Sequence, residues 1–242
     1  TQGLRASRRI ASHRVVPRAV GDVQISAVLE QLCNSQNLSK GVTKDILSHL
    51  VDEGDPAKIA AFLVLLRAKG ETASEIAGLA SAMKEKMSPV TVNETAVDIV
   101  GTGGDSAGTV NISTGACVLT AACGLTVAKH GNRSVSSLCG SADVLENLGV
   151  VIDLGPEQME QCLAEAGIGF MFAPRFHPAM KAVVPVRKSL KVRTAFNILG
   201  PMLNPASVPY ALVGVYSREI QKLMADALKE LGFENALVAV SY

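Results

Sequence analysis

The sequence predicts an α/β protein in which a small all-helical N-terminal domain precedes a larger domain with a mostly parallel sheet flanked by helices. Residues 22–90 carry helix signals only, whereas apolar runs of strand length alternate with helical segments from Val97 onward. That alternation is typical of a parallel sheet with helices on its faces. The chain has 242 residues, 48% of them hydrophobic, which is enough to build both parts around a buried core.

Helix boundary signals define the N-terminal domain. Asp55, followed by a proline, is typical of an N-cap and a first helical position, and Gly70 is placed to end that helix. Thr72 and Glu75 have the spacing of a capping box, which predicts a further helix through Met87. No catalytic chemistry is evident in this part of the chain.

Five apolar runs predict the strands of the sheet. They lie at residues 97–100, 125–128, 168–172, 211–215 and 236–240, with the sequences VDIV, LTVA, IGFMF, ALVGV and ALVAV. Each run is short, and each is followed by a loop or a helical segment, as expected for strands of a parallel sheet. The second run is expected to end at Ala128, and the segment KHGNR at residues 129–133 is expected to lie in the loop that follows.

Residues 1–21 differ in composition from the rest of the chain. They hold five arginines and no acidic residue, which predicts either a disordered basic arm or the remnant of an organelle transit peptide. A transit peptide would place the protein in the plastid (chloroplast), and the alternative places it in the cytoplasm. In both cases this segment lies outside the fold, which leaves a helical domain at 22–90 and an α/β domain at 91–242.

The remaining composition argues against nucleic acid and membranes as partners. Residues 22–242 carry 18 basic and 22 acidic side chains, so their net charge is mildly negative. No apolar run approaches the roughly 20 residues of a membrane span. The five scattered cysteines lack a CxxC pair and favour reduced thiols over a disulfide framework or a zinc site.

Two polar loops follow the first two predicted strands. The first contains glycines at 101, 103, 104 and 108 and leads into a helix near Ser113, and the second leads into a helix near Ser141. Glycines let backbone N–H groups approach an anion, and helix N-termini favour negative charge. Lys129 and Arg133 add full positive charges. Further side-chain donors are Asn111, Ser113, Thr114, Ser134, Ser136 and Ser137.

Because the carboxyl ends of parallel strands share one edge of the sheet, the two loops predict a pocket for a ligand with more than one phosphate. A dinucleotide fingerprint is excluded because Ser106 stands where its third glycine belongs and Lys129 replaces the expected acid. A P-loop is excluded because Thr109 replaces its lysine. The alternative is that the glycines only form a tight turn and the hydroxyls only cap helices.

The motifs GTGGD, NIST, KHGNR and GSADVLE, and the later HPAMK and RTAFNILGPMLNP, occur in an order and spacing that closely resemble the anthranilate phosphoribosyltransferase family of tryptophan biosynthesis. The resemblance runs from Asp22 to the last residue. It implies transfer of the phosphoribosyl group of phosphoribosyl pyrophosphate to the amine of anthranilate, which gives N-(5-phosphoribosyl)anthranilate and pyrophosphate, with Mg²⁺ as cofactor. It also implies a homodimer formed through the helical domain, and a return of residues 174–193 to that domain.

The resemblance implies no catalytic acid or base, and it assigns binding roles to particular residues. The residues implied to bind phosphoribosyl pyrophosphate are Gly101, Gly104, Asp105, Thr109, Asn111, Ile112, Ser113, Thr114, Lys129, His130, Gly131, Asn132, Arg133, Ser134, Val135, Ser136, Ser137 and Ser141. Those implied to bind anthranilate are Gly101, His130, Asn132, His177 and Arg187. Ser113 is the implied magnesium ligand, and Asp143 and Glu146 are expected to be helix-cap and structural groups.

Two alternatives and one departure accompany this resemblance. The alternatives are a pyrimidine nucleoside phosphorylase-like enzyme and a non-catalytic relative that binds nucleic acid. The departure is that the family continues beyond the position of Tyr242 with a glycine-rich turn and an Asp-Glu pair that binds a second magnesium ion. The 242 residues are therefore expected to lack a complete metal site, and activity of this fragment is not assumed.

Overall fold

The computed structural model describes residues 22–103, 108–134 and 138–240. The first part is a bundle of four helices. They are α1 (Asp22–Cys33), α2 (Lys40–Glu53), α3 (Pro56–Lys69) and α4 (Ala73–Glu85). The predicted boundary signals are confirmed: Asp55 caps α3, the Gly70 N–H bonds to the last turn of α3, and Thr72 and Glu75 form the capping box of α4. Helix α4 ends at Glu85, slightly before the predicted end.

The second part is a parallel sheet of five strands, as predicted. The strands are β1 (Ala96–Gly101), β2 (Thr126–Gly131), β3 (Ile168–Phe172), β4 (Tyr210–Val215) and β5 (Asn235–Val240). Their order in the sheet is β3-β2-β1-β4-β5, and every neighbouring pair is parallel. From β1 the chain adds β2 and β3 on one side of the sheet, and it then adds β4 and β5 on the other side. The switch point therefore lies between β1 and β4. Open α/β sheets bind ligands at the carboxyl ends of the strands beside such a point.

Six helices connect the strands or follow them. They are α5 (Ile112–Ala122), α6 (Ser141–Asn147), α7 (Pro156–Ala166), α8 (Ala173–Phe176), α9 (Met180–Leu190) and α10 (Arg218–Glu230). Helix α5 connects β1 to β2, and its buried Cys117 packs with Ile99 and Val127 on one face of the sheet. None of the helices within the described residues is long and apolar enough to cross a bilayer. The fold class predicted from the sequence is confirmed.

One hydrophobic core joins the helical bundle to the α/β part. It contains Leu63 and Leu66 of α3, Val183 of α9, Val213 of β4 and Leu228 of α10. Helix α9 belongs to the segment 174–193, and it packs against α3. The sequence signals change near residue 90, but the apolar packing continues across that position. The domain boundaries stay a prediction.

The prediction for the second strand was wrong at its carboxyl end. Strand β2 does not stop at Ala128, because its ladder with β3 continues to the pair Gly131 and Phe172. Lys129, His130 and Gly131 are therefore strand residues rather than loop residues. The physical reason is that β3 offers backbone partners along its whole length, and these outweigh the polarity of the side chains.

Candidate functional site

The two polar loops meet at the same edge of the sheet. Thr114 Oγ1, in the first turn of α5, donates a hydrogen bond to Ser141 Oγ at the start of α6, at 2.8 Å. Asn111 Nδ2 lies 3.7 Å from the Cys139 Sγ in the second loop. The N-termini of the two helices therefore converge, and two such termini together favour an anion nearby.

Lys129 supplies a positive charge from inside this region. Its residue is only 3% exposed, and its Nζ donates to the Ile99 carbonyl oxygen at 2.8 Å and to Ser113 Oγ at 3.4 Å. The position of Lys129 within β2 turns its side chain towards the N-terminus of α5. An ammonium that donates to these two neutral oxygens keeps its full charge available, and it is well suited to bind a phosphate oxygen.

Arg133 is placed differently from Lys129. Its side chain is exposed, and its guanidinium donates to Asp143 Oδ1 at 3.0 Å and to Glu146 at 2.8 and 3.1 Å. These bonds raise the pKa of Arg133 and lower those of both carboxyl groups. Arg133 therefore has to exchange protein partners before its charge can serve a phosphate.

Asp143 also organises the backbone of the second loop. Its Oδ2 accepts hydrogen bonds from the Gly140 N–H at 2.8 Å and the Ser134 N–H at 3.1 Å. The first of these is half of a capping interaction at the start of α6, because Asp143 occupies the third position of that helix. The geometry is that of a structural group, in line with the role expected for Asp143.

The first loop borders a cleft beside the switch point. Gly101 ends β1, the Thr102 N–H donates to the Gly214 carbonyl oxygen at 2.9 Å, and Gly103 has a φ of +68°, which favours glycine. The cleft has a volume of about 350 Å³. It is lined by Gly101, Thr102, Gly103, Gly214, Val215, Tyr216, Ala239 and Val240. Thr109 and Ile112 are exposed nearby in sequence, while Gly104, Asp105, Val135, Ser136 and Ser137 lie outside the described residues.

Two of the residues predicted to bind anthranilate are buried histidines that lie against each other. The rings of His130 and His177 have centroids 5.1 Å apart, and His130 Nδ1 lies 3.2 Å from the Gly200 carbonyl oxygen. Three of their ring nitrogens have no hydrogen-bond partner among the described residues. Burial lowers the pKa of His130 to about 3 and that of His177 to about 4, so both rings are neutral at physiological pH.

Arg187 approaches the same segment from α9. Its guanidinium carbon lies 5.8 Å from the centroid of the Phe196 ring, and burial lowers its pKa. Phe196 lies four residues before Gly200 in the chain. The carbonyl oxygen of Gly200 is the one that lies next to His130 Nδ1. The structure thus groups Arg187, His177 and His130 around one segment, whereas no polar contact within the described residues joins Arg187 to Asn132 or Gly101.

Two buried polar residues of the site were missed from the sequence. Asp98 and Asn204 are 1% and 2% exposed, and Asn204 Nδ2 donates to Asp98 Oδ2 at 2.8 Å. Asp98 Oδ1 accepts from the His130 N–H at 3.3 Å, and burial raises the pKa of Asp98 to about 6. The available signal was an acidic residue inside an otherwise apolar strand, because such a group needs buried partners.

The close contact between the two ends of the second loop predicts a large effect of a single methyl group. A Cβ on Gly140 would lie 2.7 Å from the Arg133 carbonyl carbon and closer still to the Ser134 nitrogen. We expect Gly140→Ala to lower the free energy of unfolding by about 1–3 kcal/mol, because backbone atoms must move. Urea unfolding measures this change.

Gly115 provides the matched control for Gly140. It lies inside α5, and a Cβ there would meet no atom within 4 Å. Gly115→Ala should therefore raise the free energy of unfolding by roughly 0.5–1 kcal/mol through helix propensity. If the two substitutions changed the free energy of unfolding equally, the backbone around Gly140 would be able to accommodate a Cβ without cost.

Metal-binding chemistry is sparse in this region. The described residues contain no group of three or more His, Cys, Asp or Glu side chains that could hold a metal ion. Ser113 offers one neutral oxygen, and that oxygen lies next to the Lys129 ammonium. The described residues of this region therefore supply few ligands, and phosphate oxygens and water would have to provide most of the coordination of a magnesium ion.

Family models place this arrangement in a known class. Residues 26–87 match the helical bundle domain of the glycosyl transferase family, and residues 93–241 match its α/β domain. The chain therefore belongs to this glycosyl transferase family. Within the family, the relatives to which it is similar are anthranilate phosphoribosyltransferases.

One such relative, from Chlamydia caviae, is 49% identical over 87% of this chain and 61% of its own length. Another, from Chloroflexus aggregans, is 50% identical over 88% of this chain and 62% of its own length. The solved enzyme from Thermus thermophilus matches with a TM-score of 0.82 and 42% identity over 87% of this chain and 65% of that one. The Saccharomyces cerevisiae enzyme in complex with PRPP and Mg matches with a TM-score of 0.82 and 28% identity over 91% and 66%. The chain spans about 60% of the length of the curated relatives it matches.

Proposed function

We propose that this chain transfers the phosphoribosyl group of phosphoribosyl pyrophosphate to the amine of anthranilate and releases pyrophosphate. The observation that carries the proposal is the convergence of the two helix N-termini at the Thr114–Ser141 hydrogen bond, with the Lys129 ammonium beside them. Two phosphate groups need such a concentration of donors on one side of a sheet. The similarity to anthranilate phosphoribosyltransferases supports the choice of substrates.

The residues of this chain suit a reaction driven by positioning. The amine of anthranilate is a nucleophile when neutral, so the site needs no strong base. The difficult part of the reaction is the departure of pyrophosphate, whose negative charge Lys129 and the N–H groups of α5 and α6 stabilise. His130 and His177 are neutral, so they would line the path of the aromatic substrate without adding a charge.

Magnesium completes this scheme as a proposal. Ser113 would be the residue that holds the ion, through its Oγ, and the ion would supply positive charge that stabilises the leaving pyrophosphate. Ser113 lies in the first turn of α5, where its hydroxyl contacts the Lys129 ammonium at 3.4 Å. A Ser113→Ala variant should therefore require more magnesium for half-maximal binding of phosphoribosyl pyrophosphate.

Binding and turnover test the proposed function separately. Calorimetric titration of phosphoribosyl pyrophosphate with Mg²⁺ should show saturable binding, and anthranilate fluorescence follows consumption of the second substrate. Phosphorolysis of a pyrimidine nucleoside, measured on the same sample, represents the rival enzyme class. Nucleoside cleavage by phosphate without binding of phosphoribosyl pyrophosphate would overturn the proposal, as would tight, salt-sensitive DNA binding alone.

Arg187→Ala should separate the two substrates. We propose that the Arg187 guanidinium binds the anthranilate carboxylate, a planar pair that suits two parallel hydrogen bonds. Loss of such a pair is expected to raise the KM or Kd for anthranilate by about 10- to 100-fold. The Kd for phosphoribosyl pyrophosphate should stay within about twofold of that of the unmodified chain.

Arg193 provides the matched control for Arg187. Its guanidinium also packs over an aromatic ring, that of Tyr216, at 4.6 Å. Because Tyr216 lines the cleft, Arg193→Ala measures the effect of lost ring packing there, and Arg187→Ala should weaken anthranilate binding more strongly than Arg193→Ala does. Equal losses for both substrates in Arg187→Ala would place Arg187 elsewhere in the mechanism.

The assembly and location of the protein are proposals of a different kind. From the resemblance we propose a homodimer formed through α1 to α4, which sedimentation of the purified chain tests. We also propose import into the plastid through residues 1–21, which lie outside the described residues. Fusion of these residues to a fluorescent protein, followed in plant cells, tests import, and a cytoplasmic signal would contradict it.

A further inference from the structure

The ladder between β1 and β2 opens before the strands end. Their register contains only the pairs Ala96 with Thr126 and Val97 with Val127. In contrast, β1 stays paired with β4 up to Gly101, and β2 stays paired with β3 up to Gly131. The main-chain ladder of the two central strands therefore ends before Asp98, on the side where the polar loops lie, although the strands stay adjacent.

Side chains replace the main-chain bonds that are missing in this gap. The Ile99 carbonyl oxygen accepts from Lys129 Nζ at 2.8 Å, and the His130 N–H donates to Asp98 Oδ1 at 3.3 Å. Each strand thus supplies one side chain that bonds to the backbone of the other. Buried backbone groups need such partners, because an unpaired one costs as much as a lost hydrogen bond.

Asn204 fixes the Asp98 carboxylate in the gap. Its Nδ2 donates both to Asp98 Oδ2 and to the Ala128 carbonyl oxygen, at 2.8 Å each, and its Oδ1 accepts from the Ala206 N–H at 2.9 Å. The Asp98 and Asn204 side chains both lie in the interior. An uninterrupted apolar ladder would avoid the desolvation of a carboxylate and an ammonium, so stability alone does not explain the arrangement.

We propose that Asp98 and Asn204 are positioning residues that replace part of the ladder between β1 and β2 and thereby aim the Lys129 ammonium at the phosphate region. Asp98 holds the backbone of the residue that follows Lys129, and its negative charge faces Lys129 within the sheet. Neither Asp98 nor Asn204 touches the ligand in this scheme. This inference rests on the proposed function, because it assumes that the ligand carries phosphates.

Asp98→Asn tests the inference with a side chain of the same shape. The variant loses the negative charge and presents an amide donor either to the Asn204 Nδ2 or to the His130 N–H, neither of which can accept it. We expect the Kd for phosphoribosyl pyrophosphate with Mg²⁺, measured by calorimetry, to rise by about tenfold, as for loss of a hydrogen bond to a charged group. The melting temperature and near-UV circular dichroism report whether the fold is kept.

Glu75→Gln is the matched control. Glu75 is also a fully buried carboxylate that accepts a backbone N–H, that of Leu38 at 2.8 Å, and it lies in the helical bundle away from both loops. If Asp98 acts only on stability, both variants should bind phosphoribosyl pyrophosphate equally well once folded. A positioning role requires that only Asp98→Asn binds it more weakly.

A double substitution identifies the group through which Asp98 acts. If Asp98 works by aiming Lys129, the variant Asp98→Asn/Lys129→Met should bind no more weakly than Lys129→Met alone. Additive losses of affinity would overturn the inference. If Asp98→Asn does not fold, Asn204→Ala carries the same test, because it keeps the carboxylate and its bond to His130.

The outcomes also separate this inference from the proposed function. Failure of the unmodified chain to bind phosphoribosyl pyrophosphate would refute the function itself. Binding by the unmodified chain together with equal binding by Asp98→Asn and Asn204→Ala would refute only the positioning role.

Discussion

Acidification from pH 6.5 to pH 4 is expected to lower the free energy of unfolding by several kcal/mol. His130 and His177 are buried as neutral rings, with pKa values of about 3 and about 4 in the folded chain. In the unfolded chain both rings titrate near the ordinary histidine pKa of about 6.5. As pH falls through 6.5 the unfolded chain binds protons that the folded chain does not, so stability falls. Each ring accounts for about 3 kcal/mol at pH 4.

Asp98 opposes this effect over part of the range. Its pKa is raised from 3.8 to about 6 in the folded chain, so the folded chain binds its proton first, and stability from this group rises as pH falls from 6 to 4. The gain by pH 4 is about 2 kcal/mol, because the unfolded carboxyl group is partly protonated there too, and this leaves a net loss of roughly 3–4 kcal/mol. Urea unfolding at a series of pH values measures the difference.

Two variants test the assignment of the acid sensitivity. His177→Phe should lose about 3 kcal/mol less than the unmodified chain between pH 7 and pH 4, because one of the two rings no longer titrates. Asp98→Asn should lose more, because the opposing group is gone. An unchanged pH profile in His177→Phe would show that this ring is charged, or accessible to water, in the folded chain.

Glu75→Ala is expected to lower the free energy of unfolding by about 3–5 kcal/mol. Glu75 is fully buried, and its Oε2 lies 2.9 Å from Lys69 Nζ, whose side chain is 3% exposed. The same carboxylate accepts the Leu38 N–H at 2.8 Å and the Thr72 N–H at 2.8 Å. Removal of Glu75 therefore leaves two backbone donors without their partner, and it leaves the Lys69 ammonium with neutral acceptors, Asn37 Oδ1 and the Gly70 carbonyl oxygen, in place of a carboxylate.

A second substitution separates the charge from the hydrogen bonds. Glu75→Ala/Lys69→Met removes both charges, so it should be more stable than Glu75→Ala alone. Lys44 and Glu85 form an ion pair in which the carboxylate side chain is 56% exposed, and Glu85→Ala is the control for a pair at the surface. A loss in Glu85→Ala as large as that in Glu75→Ala would contradict the argument from burial.

The architecture was predictable because its signals are local. The caps at Asp55 and Thr72 depend on residues next to them, and the strand pattern depends on short apolar runs. The end of β2 was not predictable in this way. Lys129 and His130 are polar, and only the ladder with β3, which is formed by residues distant in sequence, keeps them in the strand.

The meeting of the two loops was predictable from the sequence, and the network of buried polar residues was not. Glycines and hydroxyls before a helix indicate an anion site directly, and the contact of Thr114 with Ser141 agrees with the predicted meeting of the two loops. The partnership of Asp98 with Asn204 joins residues far apart along the chain. The residues around Asp98 and around Asn204 carry no sign of this hydrogen bond, so it cannot be predicted from a single sequence.

The central position of β1 has a consequence for the way the molecule reaches its native state. Its ladder to β4 pairs Val97 with Tyr210, and Leu63 of the bundle shares its core with Leu228 of α10. The middle of the sheet needs β4, and the core of the bundle needs α10, both of which lie far along the chain. Because contacts between residues distant in sequence form slowly, this topology slows folding. A newly made chain should therefore spend time with open edges, and chaperones are expected to raise its yield more than they would for a bundle with only local contacts.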